Sequence, residues 1–275
     1  MSRKVSYGLA ISEEVLGEGA PVLLQGGVEK AMIRASELGF DSAELHIREP
    51  GQFDVQKLLD ISNQKNIRIA AVGTGLEYGL NGLNITSPDK SLREKMSARL
   101  KEHIDFAANF NAVVFLGLLR GKAPSYAARK EYLDRLAQEF IPIAAYAAER
   151  GVILGLEPIV FYLTNLLNTT EETLEFLERP GLETIQLLLD THHMFIEDKD
   201  MFESFRMCKG KIAHLHISDS NRQYPGGGNV DYTKVGDVLK EIGYDRAVSL
   251  EVVPYPSGEQ AAVYGIEWMR SIWGA

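Results

Sequence analysis

At 275 residues, with 45% hydrophobic and 24% charged residues, the chain has ordinary globular composition and ample material for a large core. Its 29 basic and 38 acidic residues leave a net charge of −9, which argues against a nucleic-acid partner, since such surfaces work by neutralising phosphates. Cys208 is the one cysteine, so no internal disulfide forms, and neither a signal-peptide core nor a bilayer-length apolar run is present. A cytoplasmic protein without a membrane partner is expected.

In chain order, one unit repeats. A helical pattern ends at a glycine and a short β-rich run follows, as in "ASELGFDSAELHI", "AAERGVILGLE" and "LKEIGYDRAVSLEV". Glycine suits the left-handed position that stops a helix, and the apolar run reads as a buried parallel strand. Strands are predicted at 5–10, 42–47, 68–73, 112–116, 152–157, 185–190, 212–217 and 247–252. Helices separate them, and Ser91 with Glu94, Thr169 with Glu172 and Ser257 with Gln260 have capping-box spacing. Eight such units without a linker predict a single α/β domain over residues 1–275, a (β/α)8 TIM barrel. A doubly wound open sheet is the rival, with fewer strands.

In barrels of this kind chemistry sits where strands end. Strand five ends in Glu157, strand six in Asp190, strand seven runs through His214 and His216, and strand eight reaches Glu251. The strand ends carry no Lys or Arg of their own, so three carboxylates are expected to converge without compensation. A divalent cation removes that cost, and one imidazole with three carboxylates suits Mn2+, Co2+ or Mg2+, with Zn2+ also accommodated. The competing reading is structural salt bridges in the barrel.

His214 and His216 share a face of strand seven at different depths, and His216, nearer the end, is the expected ligand, with His214 hydrogen-bonded below it. Glu44 and His46 likewise point together from strand two: Glu44 reads as structural pairing, while His46 reads equally as pocket or packing. His103 reads as a helix residue without chemistry and Cys208 as a buried, inert thiol. The loop "SDSNRQYPGGGN" offers Arg222 and three glycines; a phosphate site is conceivable there, and a flexible turn is favoured. "GTGLEYGLNGLN", residues 73–84, is either a lid or a turn-rich excursion.

With these residues placed, the chain resembles the xylose isomerase-like TIM-barrel superfamily of sugar phosphate isomerases and epimerases. Within it the likeness is to ketose 3-epimerases such as D-tagatose 3-epimerase and 5-keto-L-gluconate epimerase. It rests on "AVGTGLEYGLNGLNITSPD", "LGLLRGK", "GLEP", "LLNT", "LLDTHHMFIED", "AHLHISDSNRQYPGGGNVDY" and "VSLEV", almost the whole chain in order. The resemblance implies that Glu157, Asp190, His216 and Glu251 hold one divalent ion, often Mn2+, and that Glu157 and Glu251 are the catalytic acid/base pair. It implies that His193 and Arg222 bind oxygens of a small sugar substrate, leaving packing to His192, and that the chain forms dimers or tetramers.

The implied reaction moves a proton beside the carbonyl of a ketose, keto-sugar acid or sugar phosphate through a metal-stabilised enediolate. One departure stands out. After "LEP" the family often continues as "NRFE" or "NRYE", whereas this chain reads "IVFYLTNLLNT", with Leu163 in place of a glutamate. Three alternatives remain: a keto-polyol dehydratase of the same superfamily, a non-catalytic sugar-binding barrel, and a phosphodiesterase resembling endonuclease IV. The last is disfavoured by six histidines in total and the net negative charge.

Overall fold

The computed structural model describes residues 5–274; the expected domain limits at Met1 and Ala275 lie outside them. Strands and helices alternate from β1 (Ser6–Ser12) through α1 (Val28–Leu38), β2 (Ser42–His46), α2 (Val55–Lys65) and β3 (Arg68–Gly73). Then come α3 (Leu76–Asn81), α4 (Lys90–Ala108), β4 (Val113–Leu116), α5 (Arg129–Glu149), β5 (Leu154–Leu156) and α6 (Thr170–Leu177). The last third holds β6 (Gln186–Asp190), α7 (Thr191–Glu197), α8 (Met201–Met207), β7 (Ile212–Ile217), α9 (Tyr232–Ile242), β8 (Ala247–Leu250) and α10 (Gly258–Trp273). The eight strands are parallel, pair in sequence order, and close through β8 and β1: the predicted (β/α)8 barrel.

Period-two alternation explains both layers of the core. Leu9, Leu45, Val72, Val114, Leu156, Leu189, Leu215 and Leu250 face outward and pack under the helices. A small apolar plug of Ala71, Val113, Phe115, Leu188 and Ala213 fills part of the interior. Gly39 and Gly243 stop α1 and α9 at φ 96° and 74°, as the repeated unit predicts, because only glycine enters that region without a Cβ penalty. No helix among the described residues is long and apolar enough to cross a membrane.

Several boundaries differ from expectation. β5 and β8 stop before Glu157 and Glu251, although each of those residues still donates its N–H to the neighbouring strand, at 3.3 Å to Leu116 and Ile217 respectively. Both side chains therefore stand at the last rung, where the backbone begins to turn away. Thr169 and Ser257 cap their helices as expected, accepting from Glu172 and Gln260. Ser91 does not cap α4; Asp89 does, because its carboxylate reaches back to the Ser91 N–H at 2.8 Å and a carboxylate outcompetes a hydroxyl there. Part of the 73–84 stretch is helical, as α3, and is anchored by buried Glu77, which pairs with Arg99 at 2.8 Å.

One buried residue absent from the sequence expectations holds the rim together. Arg120, in the turn after β4, is fully buried and forms no ion pair among the described residues. Its guanidinium donates to five carbonyls: Gly117 and Leu116 at 3.1 Å, Leu166 and Leu167 at 3.2 Å, and Glu157. Burial pushes it down to about 10, with the Glu157 charge opposing, so it stays cationic at neutral pH. It ties the ends of β4 and β5 to the loop that follows. Arg120→Met is expected to cost ~3 kcal/mol in urea denaturation, since it strands several buried carbonyls; a loss below ~1 kcal/mol would show that water replaces the guanidinium.

Candidate metal centre and active site

Parallel strands deliver their last residues to one rim, and four of those ends meet. Glu157, Asp190, His216 and Glu251, all buried, each bring one donor atom to within 4.8 Å of the others. His216 Nδ1 is the centre, 3.3 Å from Glu251, 3.5 Å from Glu157 and 3.7 Å from Asp190. That nitrogen is buried and has no hydrogen-bond partner. An orphaned imidazole nitrogen facing three carboxylates fits a divalent cation that takes mixed nitrogen and oxygen ligands.

The expectation that these carboxylates lack compensation is corrected by Arg222. From the loop after β7 its guanidinium reaches both Asp190 and Glu251. Its backbone is left-handed at φ 63°, an uncommon conformation for an arginine, and its own N–H and C=O are pinned to Asp219 and Val253. Strand-end sequences show none of this, because the cation arrives on a loop. Burial would lower Arg222 and raise Asp190, and in each case the ion pair more than offsets it: Arg222 is raised and Asp190 is held well below the usual carboxylate range. Glu157 is different. Burial raises its carboxyl, and the charges of Glu251 and Asp190 add to that, while His216 opposes. For His216, burial lowers but Glu251 and Glu44 win, so it is raised well above an ordinary histidine.

The two adjacent histidines take different surroundings. Asp190 caps α7 by accepting the His192 N–H at 2.8 Å, and that turn carries His193 back toward the rim. His193 Nε2 lies 3.9 Å from Glu157, its Nδ1 has no partner, and burial pushes it to about 3, so the ring is neutral. His192 instead bonds Tyr162 at 3.0 Å and the Asp219 carbonyl at 3.2 Å.

The loop "SDSNRQYPGGGN" is not a plain turn. Buried Asp219 collects the N–H groups of Ser220, Gly226 and Val230 at 2.7, 2.9 and 3.0 Å, and the chain wraps around it. Glu44, expected as structural pairing, is buried below the rim with His46, His214 and His216 around it. Burial alone would raise its carboxyl; His216 and the imidazole hydrogen bonds reverse that and hold it well below the usual range. His103 bonds the Ile47 carbonyl at 3.0 Å from α4, a structural tie as expected, and Cys208 is buried with its thiol pushed up to about 12, mainly by burial.

Two features shape the mouth. Gly117 passes so close that a Cβ there would sit 2.9 Å from Glu157 Oε2. Phe161, Tyr162 and Leu163, the stretch where the chain departs from the resemblance, remain 58%, 52% and 42% exposed and form an apolar lip.

The sequence pattern of xylose isomerase-like TIM barrels matches residues 33–272. The chain belongs to the xylose isomerase-like TIM barrel family. Its relatives include an L-ribulose 3-epimerase of Methylomonas sp. (strain DH-1), 31% identical over 82% of this chain and 78% of that protein. A ketose 3-epimerase of Arthrobacter globiformis is 28% identical over 82% and 77%. The crystal structure of a Methylomonas sp. D-allulose 3-epimerase in complex with D-allulose superposes with a TM-score of 0.80 at 26% identity, covering 98% of both chains. The xylose isomerase-like match thus extends over the strand ends that carry Glu157, Asp190, His216 and Glu251.

A pH dependence follows from the raised groups. Glu157 and His216 keep their protons to higher pH than ordinary side chains, and a metal must displace those protons. Affinity for a probe ion such as Mn2+ should therefore fall on acidification, by at least about tenfold between about pH 7 and about pH 5, followed through the electron-resonance signal of the free ion. A flat profile would mean the rim groups are not the ligands.

Proposed function

We propose that this chain, working as one domain over residues 1–275, is a metal-dependent sugar epimerase of the ketose 3-epimerase type. It would move a proton on the carbon beside the carbonyl of a ketose, keto-sugar acid or sugar phosphate. The observation that carries this reading is the convergence of Glu157 and Glu251, from β5 and β8, on the same His216 nitrogen at 3.5 and 3.3 Å. The relatives' activities support it: an L-ribulose 3-epimerase and a ketose 3-epimerase are among the matched proteins.

Glu157, Asp190, His216 and Glu251 would hold one divalent ion, with Mn2+ preferred over Co2+, Mg2+ or Zn2+ for this largely carboxylate set. When bound, the ion supplies Lewis-acid stabilisation of negative charge developing on the substrate's oxygens. The residues do the rest. Glu157 and Glu251 act as the acid/base pair, one taking the proton from one face of the carbon and the other returning a proton to the opposite face, which inverts the centre. A single carboxylate would return it to the same face. Neutral His193 offers an unpartnered Nδ1 to a sugar hydroxyl, and Arg222 offers guanidinium donors to the sugar's oxygens.

The apolar lip at Phe161, Tyr162 and Leu163 supports a substrate with few hydroxyls at that end. The lone, buried Cys208 supports a cytoplasmic setting, and the family resemblance supports a homodimer or homotetramer.

Incubation of Mn2+-loaded protein with a panel of ketoses and keto-sugar acids in deuterated water should place deuterium beside the carbonyl and yield the epimer. Glu157→Gln and Glu251→Gln should each lower turnover by about 10³-fold. An enone or diketone product would instead identify a dehydratase. Sugar binding without turnover, undiminished in Glu251→Gln, would identify a non-catalytic barrel.

A further inference from the structure

We propose that Glu44 is a positioning residue that keeps a proton on Nε2 of His216, and of His214 and His46 with it, so that Nδ1 is the His216 nitrogen given over to a metal at the rim. The inference rests on the metal reading of that rim and concerns a residue one layer below it.

Glu44 lies on β2, fully buried, and its two oxygens meet three imidazoles. Oε2 is 2.7 Å from His214 Nε2 and 3.0 Å from His216 Nε2, and Oε1 is 2.8 Å from His46 Nε2. An ionised carboxylate accepts hydrogen bonds and donates none, so each nitrogen facing it must carry a hydrogen. The alternative sets lone pair against lone pair at hydrogen-bond distance among buried groups. Ser249 Oγ, 2.9 Å from His214 Nε2, does not change this, because the same N–H is shared between the two acceptors.

With Nε2 held in its bond to Glu44, Nδ1 is the nitrogen a metal can take by displacing its proton; it lacks a partner and lies 3.3–3.7 Å from the three rim carboxylates. A metal-binding histidine commonly donates its other N–H to a carboxylate, which orients the ring and increases its basicity. Here the orienting group comes from across the barrel, since β2 and β7 are not neighbours in the sheet. His46 shares the arrangement. Its Nε2 faces Glu44 while lying 3.8 Å from Glu251 Oε1, so Glu44 also holds a ring beside the proposed acid/base pair. The other donor sets, Glu44 with His214 and His216 or with His46 and Glu251, contain nitrogens already engaged by Glu44, unlike His216 Nδ1.

The test compares full-length wild type with Glu44→Met, which removes both acceptors at similar length, and Glu44→Gln, which keeps one oxygen. Mn2+ affinity is measured through the free-ion resonance signal, and thermal melts of the metal-free proteins separate loss of fold from loss of binding. Glu44→Met should weaken Mn2+ binding about 10- to 100-fold, with Glu44→Gln between it and wild type. Nitrogen NMR of the histidine rings in Zn2+-loaded wild type should show His216 bound through Nδ1 with its proton on Nε2. His214 and His46 should also be protonated on Nε2. Binding in Glu44→Met within about twofold of wild type, or a His216 that binds through Nε2, would overturn the proposal. If Glu44→Met fails to fold, the wild-type NMR decides alone. A wild type that binds no metal would overturn the rim reading itself, which separates that failure from a failure of Glu44.

Discussion

Closing eight parallel strands into a ring imposes one constraint from which the rest of this molecule follows. All strands end at the same rim, and every second side chain points at a common axis. Apolar residues alone do not fill that interior here. The plug around Phe115 and Leu188 occupies part of it, and the remainder is a column of ionisable groups: Glu44 with His46 and His214, then His216, then the carboxylates of Glu157, Asp190 and Glu251. Each layer is tolerable only because the next supplies a complementary group. Glu44 receives N–H donors from below and above, and Arg222 neutralises Asp190 and Glu251 from outside. Glu157 is left as the least compensated carboxylate, which is why burial raises it while Asp190 is lowered. Two carboxylic acids at the ends of neighbouring strands are thereby shifted in opposite directions.

Much of this was legible in the chain. Polar residues at the ends of strongly apolar runs, such as Asp190 after three leucines, conflict with burial unless they serve the rim, and four of them on consecutive strands identified the same group that the structure assembles. The spacing of Glu44 to His46 and of His214 to His216 showed which residues share a face, because strand side chains repeat every second residue. What the pattern omitted are contacts that depend on the path of the backbone. Arg222 reaches Asp190 across 32 residues from a loop whose left-handed turn has no signature in an arginine. Arg120 satisfies itself with carbonyl groups, which every residue possesses, so its role leaves no partner to find. The Glu44 bonds to His214 and His216 span 170 and 172 residues and cross the barrel between strands that are not adjacent.

Boundaries were less legible than residues. Glu157 and Glu251 were expected inside strands, and the structure sets each one step beyond. Physically the difference is small, since both retain one interstrand N–H bond, yet it frees the following backbone to turn into the loops that form the mouth. At that mouth Arg120 grips the Glu157 carbonyl while the side chain of the same residue faces the rim, so a rigid backbone anchor and a reactive carboxylate coincide in one position.

Gly117 has a consequence for how the sequence can change. The loops after barrel strands are where new substrate preferences are most readily introduced, by natural drift or by a designed library. At this position a side chain would press on the Glu157 carboxylate, with Cβ 2.9 Å from Oε2, and push it from its place facing His216 while Arg120 holds the backbone. The neighbouring exposed lip at Phe161 to Leu163 has no such obstruction on its solvent side. Variation is therefore channelled: the lip is the evolvable part of the mouth, and the hydrogen at Gly117 is the feature that lineages and libraries have to keep.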